Sequence, residues 1–165
     1  EALVEQEKAT TEQSVKVDQP KIQSAKIKAS ENNLLDWTNQ YTLGINELDE
    51  QHKQLISLAN QVYSAFRQDK TKKETKELLK NLVDFASYHF GNEEQYFEQF
   101  GFAEAETHAS EHNQFIGKLQ DFQEDYNKNK VKFLDDIMNY IKTWLFGHFT
   151  TTDPKYVGLF KSKGL

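Results

Sequence analysis

The chain has 165 residues, 37% of them hydrophobic and 28% charged, and a formal net charge of −6, which predicts one domain with an appendage and disfavours a nucleic-acid partner. Because there is no cysteine, disulfide scaffolds, thiolate zinc sites and cysteine nucleophiles are excluded. No apolar run approaches the ~18 residues that span a bilayer, so we expect no membrane contact by this piece of chain and a cytoplasmic location.

Residues 1–36 are predicted to form a linker or tether. They contain no aromatic residue, histidine or glycine, whereas the 12 Phe, 7 Tyr and 2 Trp all lie from Trp37 onward. Such a segment has too little large apolar surface to offset the entropy lost on ordering. Residue 1 is Glu and the single methionine is Met138, so we expect the chain to be a piece or a processed product of a longer protein.

Residues 37–165 are predicted to form an all-α domain. An extended arm over 37–45 precedes four segments whose apolar residues recur at steps of three, four and seven, as in amphipathic helices. These helices are predicted over about 47–67, 72–97, 103–127 and 131–149, and a short last helix over about 154–160. Because the connections are short, we predict an antiparallel up-down-up-down four-helix bundle with an N-terminal arm and a short C-terminal helix.

The predicted helices carry five histidines and two acidic residues at spacings that suit metal binding. Each histidine is in register with the apolar stripe of its helix, and the alternating helix directions place all seven residues at one end of the bundle. Burying five imidazoles without a shared partner would be costly, and a metal removes that cost. Seven nitrogen and oxygen ligands exceed the needs of one ion and predict a two-metal site, which iron, manganese, copper or zinc would suit. The seven residues are His52, His89, Glu93, His108, His112, His148 and Asp153.

The spacing between His148 and Asp153 is unusual for a helix. Five residues of regular α-helix would turn the aspartate about 140° away from the histidine, so the chain must widen or stop between them. Three threonines fill this interval, and Pro154 biases the residue before it away from helical geometry. We therefore predict that the fourth helix ends just after His148 and that the chain then turns Asp153 back toward the site.

The sequence resembles the hemerythrin family, specifically its bacterial hemerythrin-like domains, from about residue 36 to the C-terminus. The matching motifs are Gly44-Ile-Asn-Glu-Leu-Asp-Glu-Gln-His52, His89-x3-Glu93, His108-x3-His112 and His148-x4-Asp153. The resemblance implies a four-helix bundle with a non-heme centre of two Fe ions. One iron would be held by His108, His112 and His148 and the other by His52 and His89, with Glu93, Asp153 and an oxo or hydroxo group as bridges. O2 would bind at an open position on the second iron.

Apolar side chains beside the histidines are candidates for lining the pocket around the cofactor. Ordinary core packing is the alternative for each of them. The candidates are Leu55, Phe115, Ile116, Trp144 and Leu145.

We expect reversible O2 binding rather than an enzyme, because histidine predominates over the carboxylates that make up ferritin-like oxidase sites. The favoured role is oxygen sensing, with a signalling domain upstream on the same polypeptide, as in a bacterial chemotaxis receptor with a C-terminal hemerythrin domain. Oxygen storage or delivery, and a di-iron enzyme that reacts with peroxide or nitric oxide, remain alternatives. Phosphotransfer through an exposed histidine is disfavoured, because all five histidines are predicted to face inward.

Overall fold

The computed structural model describes residues 32–68, 70–131 and 134–165. These residues form five α-helices and no strand, which confirms the predicted all-α four-helix bundle with a short helix at its C-terminal end. No helix in this part of the chain is long and apolar enough to cross a membrane. The helices are α1 (Asn46–Arg67), α2 (Lys72–Phe100), α3 (Ala105–Asn127), α4 (Leu134–Gly147) and α5 (Pro154–Ser162), with a 3-10 turn over Asn39–Tyr41 and a π turn over His148–Thr152.

Local signals define both ends of α2. Thr71 caps its first turn: the Thr71 side chain accepts from the backbone N–H of Glu74, and the Glu74 side chain accepts from the backbone N–H of Thr71. This reciprocal capping satisfies two donors that have no partner within the helix. At the other end Gly101 adopts φ 72° and donates its N–H to the carbonyl of Phe97 over 2.9 Å. Glycine reaches this left-handed conformation without strain, so the chain can turn directly toward α3.

The predicted stop after His148 is wrong, because the chain widens there and continues as a helix. The N–H of Asp153 donates to the carbonyl of His148 over 3.0 Å, which is the i→i+5 bond of a π turn. Asp153 itself has helical backbone angles, φ −60° and ψ −38°. Pro154 is the first residue of α5, a position at which the fixed φ of proline is compatible with a helix. The wider turn therefore brings Asp153 over His148 without any break in the chain.

The apolar core has two parts, and the candidate site lies between them. The larger cluster follows the length of the bundle and includes Leu55, Phe90 and Phe149. The smaller one is built from α5, the arm and the neighbouring ends of α1 and α2, and includes Phe97 and Tyr156. Rings of both clusters contact the predicted histidine ligands. Apolar packing thus encloses the site on two sides.

The segment that leads into the N-terminal arm is fastened to α1 by hydrogen bonds and by buried side chains. The side chain of Asn60 accepts from the backbone N–H of Leu35 over 2.9 Å and donates to its carbonyl over 2.7 Å. Leu34 and Leu35 are both buried, although they lie within the predicted tether. Residues 1–31 of that tether lie outside the described residues, and the predicted division of the chain at residue 36 stays a prediction.

Candidate metal centre

The seven residues singled out from the sequence come together at one end of the bundle. Each of them is at most 3% exposed, and they come from α1, α2, α3 and the π turn between α4 and α5, with Asp153 directly after that turn. Two overlapping groups of their donor atoms are compact enough to hold a metal ion, with all atoms of a group within 4.8 Å of one another. The groups are His108, His112, His148 and Glu93, and His52, His89 and Glu93.

The first group presents three imidazole nitrogens at the spacing of ligands on one ion. His148 Nε2 lies 3.1 Å from His108 Nε2 and 3.1 Å from His112 Nε2. Two nitrogen ligands at right angles, each about 2.1 Å from a metal, would be about 3.0 Å apart. We conclude that the three rings fit around a single ion.

The second group has two histidines whose rings meet edge to face. The ring centroids of His52 and His89 are 4.9 Å apart with an interplanar angle of 80°. Both side chains are fully buried, and a carboxylate lies beside each of them. This half therefore offers two nitrogens where the other offers three.

Each of the two carboxylates spans both halves. Glu93 Oε2 lies 3.1 Å from His112 Nε2, and Glu93 Oε1 lies 3.6 Å from His89 Nε2. Asp153 Oδ1 lies 3.1 Å from His148 Nε2, while Asp153 Oδ2 lies 3.2 Å from His52 Nε2. One oxygen of each carboxylate thus faces each group of histidines, which is the arrangement that bridging ligands require.

Several buried donor and acceptor atoms at the site make no hydrogen bond within the described residues. Except for His52 Nδ1, each of them faces a carboxylate oxygen or an imidazole nitrogen of the site at 3.1–3.7 Å without making a hydrogen bond, although leaving buried polar atoms unpaired is costly. A pair of cations between the facing lone pairs would satisfy them, so the residues present fit a two-metal group. The atoms are both ring nitrogens of His52, His89 Nε2, Glu93 Oε2 and both carboxylate oxygens of Asp153.

The protonation of the histidines differs across the site in the absence of metal. Burial lowers the pKa of His89 to about 4, against the attraction of Glu93, so this ring is neutral near pH 7. Burial also acts to lower the pKa of His108, but the nearby carboxylates of Asp153 and Glu93 outweigh it and raise the pKa to about 9. The two carboxylates thus favour positive charge in the three-histidine half, where a cation would take the place of the proton.

Four residues that hold the site from outside were missed by the sequence analysis. His89 Nδ1 is 2.8 Å from Gln51 Oε1, His112 Nδ1 is 2.9 Å from Glu94 Oε1, and His148 Nδ1 is 3.1 Å from Glu111 Oε2. The buried hydroxyl of Tyr156 donates to Glu93 Oε1. Adjacency to a predicted ligand in the sequence was the available signal for Gln51, Glu94 and Glu111, and no sequence signal distinguished Tyr156 from a core aromatic.

Aromatic rings cover the histidines on their outer faces. Phe149 stacks on His52 with centroids 3.8 Å apart, Phe90 on His112 at 3.9 Å, and Trp144 on His148 at 4.2 Å. Of the predicted lining residues, Trp144 contacts a histidine directly, and Phe115 stacks on Trp144 at 4.0 Å. The other three, Leu55, Ile116 and Leu145, pack in the surrounding core, and the lining prediction did not include Phe90 or Phe149.

Comparison with known proteins points to one family. Residues 43–160 match the family model described as "Hemerythrin HHE cation binding domain". The chain is 30% identical over 126 residues to a bacteriohemerythrin of Clostridium acetobutylicum, covering 73% of this chain and 97% of the relative. It is 31% identical to a hemerythrin-like protein of Naegleria gruberi, covering 75% and 92%. A crystal structure of wild-type hemerythrin superimposes with a TM-score of 0.70 at 24% identity, over 76% of this chain and 97% of that chain, and supports the fold.

Proposed function

Because the chain belongs to the hemerythrin family, we propose that it binds O2 reversibly and acts as the oxygen-sensing domain of a larger signalling protein. Family membership confirms the resemblance drawn from the motifs and implies a di-iron centre that binds O2. The observation that carries the proposal is the convergence of seven buried polar side chains, of which four, His52, His89, Glu93 and Asp153, have atoms with no hydrogen-bond partner within the described residues. A cytoplasmic location is part of the same proposal.

We propose that each half of the site holds one iron ion. One iron would be held by the three-histidine group and the other by His52 and His89, and the carboxylates of Glu93 and Asp153, which face both halves, would serve both ions. When bound, the iron pair supplies the redox chemistry and the open coordination position that O2 binding needs.

The protein supplies a rigid and water-poor environment. Phe149, Phe90 and Trp144 stack on three of the histidines and limit the approach of water to their outer faces. Tyr156 donates to Glu93 and so fixes one bridging carboxylate. Five neutral imidazole donors and only two carboxylates supply little negative charge to stabilise highly oxidised iron, and this supports binding over oxidative catalysis.

The proposal is tested by cycling the purified protein between anaerobic reduction and exposure to O2. We expect about two iron ions per chain, and an O2 complex that forms on exposure and disappears when O2 is removed, followed by absorption and resonance Raman spectroscopy. Repeated turnover of peroxide or nitric oxide without a stable complex would instead support an enzyme. Absence of iron from protein purified under several conditions would contradict the proposal.

The arm is the part of the domain that we propose transmits the state of the site. Tyr41 packs edge-on against Phe149 with centroids 6.0 Å apart, and Phe149 stacks directly on His52. A displacement of His52 would therefore reach the arm through one intervening ring. Beyond the arm, the proposed upstream signalling domain of the same polypeptide would receive the change.

Hydrogen exchange measures this transmission. We expect amide exchange within residues 32–50 to differ between the reduced protein with and without O2, because the contact of Tyr41 with Phe149 changes. The variant Tyr41→Leu keeps an apolar side chain but removes the ring, and should reduce the difference. Exchange at the far end of α3 serves as the internal control. If amide exchange in the arm is the same with and without O2, the arm does not transmit the state of the site.

A further inference from the structure

Two histidines of the three-histidine half, His112 and His148, are held from outside by carboxylates. His112 Nδ1 donates to Glu94 Oε1 over 2.9 Å, and His148 Nδ1 donates to Glu111 Oε2 over 3.1 Å. Glu111 is itself positioned by the hydroxyl of Thr152, which donates to the same oxygen over 3.0 Å. The side chains of Glu94 and Glu111 are 40% and 38% exposed, so both carboxylates reach from the surface to a buried ring.

The histidines of the other half have no such charged partner. His89 Nδ1 donates to the neutral amide oxygen of Gln51 over 2.8 Å. The Nδ1 atom of His52 has no hydrogen-bond partner in the part of the chain that the structure describes. The two halves of one site therefore differ in charge at the atoms that support their histidines.

This difference bears directly on metal affinity. A carboxylate that accepts the Nδ1 proton fixes the tautomer with the lone pair on Nε2, aims that lone pair at the site and makes it more basic. A hydrogen bond to a charged acceptor is also stronger than one to a neutral acceptor. The amide oxygen of Gln51 fixes the tautomer of His89 but adds no charge, and nothing comparable fixes His52.

The contacts of Glu93 reinforce the same asymmetry. Glu93 Oε2 lies 3.1 Å from His112 Nε2, whereas Glu93 Oε1, on the other side, is 3.6 Å from His89 Nε2 and accepts the hydroxyl of Tyr156. The oxygen facing the two-histidine half must therefore be shared with a hydrogen bond. The three-histidine half has one more nitrogen ligand, and the Glu93 oxygen that faces it does not accept the hydroxyl of Tyr156.

We propose that the two halves bind metal in a fixed order: the half formed by His108, His112 and His148 fills first and empties last, and Glu94 and Glu111 are the positioning residues that set this order. The inference rests on the proposed function, since it concerns the same two ions. Between the metal-free and fully loaded forms lies a one-metal state, with the ion in the three-histidine half. The His52–His89 half, which carries the open position, is then the one whose occupancy varies when iron is scarce.

The order is tested by titrating the full, metal-stripped chain with Fe(II) under anaerobic conditions against a competing chelator of known affinity. We expect two separate steps of one ion each. Glu94→Gln and Glu111→Gln should each weaken the tighter step by about 10- to 100-fold, while Gln51→Ala should weaken only the second step. His89→Ala should keep the tight step, and the steps are counted as bound iron, independently of O2 binding.

Glu98→Gln is the matched control. Glu98 lies on α2 one turn beyond Glu94 and is exposed, so the variant makes the same change of charge without touching a histidine, and both steps should stay as in the parent chain. The inference would be overturned if both ions bound in a single step, or if Glu94→Gln, Glu111→Gln and Glu98→Gln had equal effects on iron binding. In either case the proposed function would still stand if the chain bound two iron ions and bound O2 reversibly. A chain that binds no iron would overturn both.

Discussion

Replacing His148 with alanine is expected to lower the iron content from about two ions per chain to about one and to destabilise the fold. The lost Nε2 atom lies 3.1 Å from the Nε2 atoms of His108 and His112 and from Asp153 Oδ1, so it belongs to the core of the three-histidine group. An ion present at 100 times its dissociation constant adds about 2.7 kcal/mol to the free energy of unfolding. Iron analysis and urea unfolding of the metal-loaded chain measure the two effects.

The metal-free chain provides the first control for this prediction. Without iron, the variant and the parent should differ only by the packing and the hydrogen bond to Glu111 that are lost with the ring, so the metal-dependent part of the destabilisation should disappear. Thr143→Ala is the matched variant, because Thr143 is an exposed residue of α4 and its loss should change neither quantity. A His148→Ala chain that retained two iron ions and the unfolding free energy of the parent would remove His148 from the ligand set.

The helical architecture could be predicted because it depends on short-range patterns. Apolar residues at steps of three and four define the inward face of each helix, and Gly101 and Thr71 mark the turn and the cap at the ends of α2. Once the helices alternate in direction, the end of the bundle at which each histidine lies follows from its position in the chain. The convergence of the site therefore needed no knowledge of side-chain contacts.

The partners that hold the histidines from outside could not be predicted in this way. The contact between His148 and Glu111 joins residues 37 apart, and that between Tyr156 and Glu93 joins residues 63 apart. Whether such pairs meet depends on the rotation of one helix relative to another, and a shift of some tens of degrees separates them. Periodicity identifies the inward face of a helix but does not give this relative rotation.

The connection between His148 and Asp153 shows how a local rule can mislead. The bias imposed by Pro154 predicted a break in the helix, whereas the structure has a π turn in which Asp153 stays helical. The five-residue spacing between His148 and Asp153 already required the helix either to widen or to stop, and the proline led to the prediction of a stop. A proline in the first turn of a helix is tolerated, and the wider turn satisfies the spacing.

Replacing Asp153 with asparagine is expected to remove one of the two ions and to abolish O2 binding. Asp153 Oδ1 faces His108 and His148 at 3.2 and 3.1 Å, and Asp153 Oδ2 faces His52 at 3.2 Å. Asparagine keeps one oxygen but replaces the other with an NH2 group, which has no lone pair for a metal. Whichever way the amide turns, one half of the site loses a ligand and gains a donor that repels a cation. We expect iron to fall to about one ion per chain, measured by metal analysis together with the absorption change on exposure to O2.

The size of this effect follows from the burial of the residue it alters. Asp153 is fully buried, so water cannot easily replace the missing oxygen as a ligand, as it could at an exposed site. Asp135→Asn is the matched control, since Asp135 is exposed in the first turn of α4 and the same loss of charge there should leave iron content and O2 binding unchanged. If Asp153→Asn bound two iron ions and O2 as the parent chain does, Asp153 would not bridge the two halves. The π turn would then serve only to join α4 to α5.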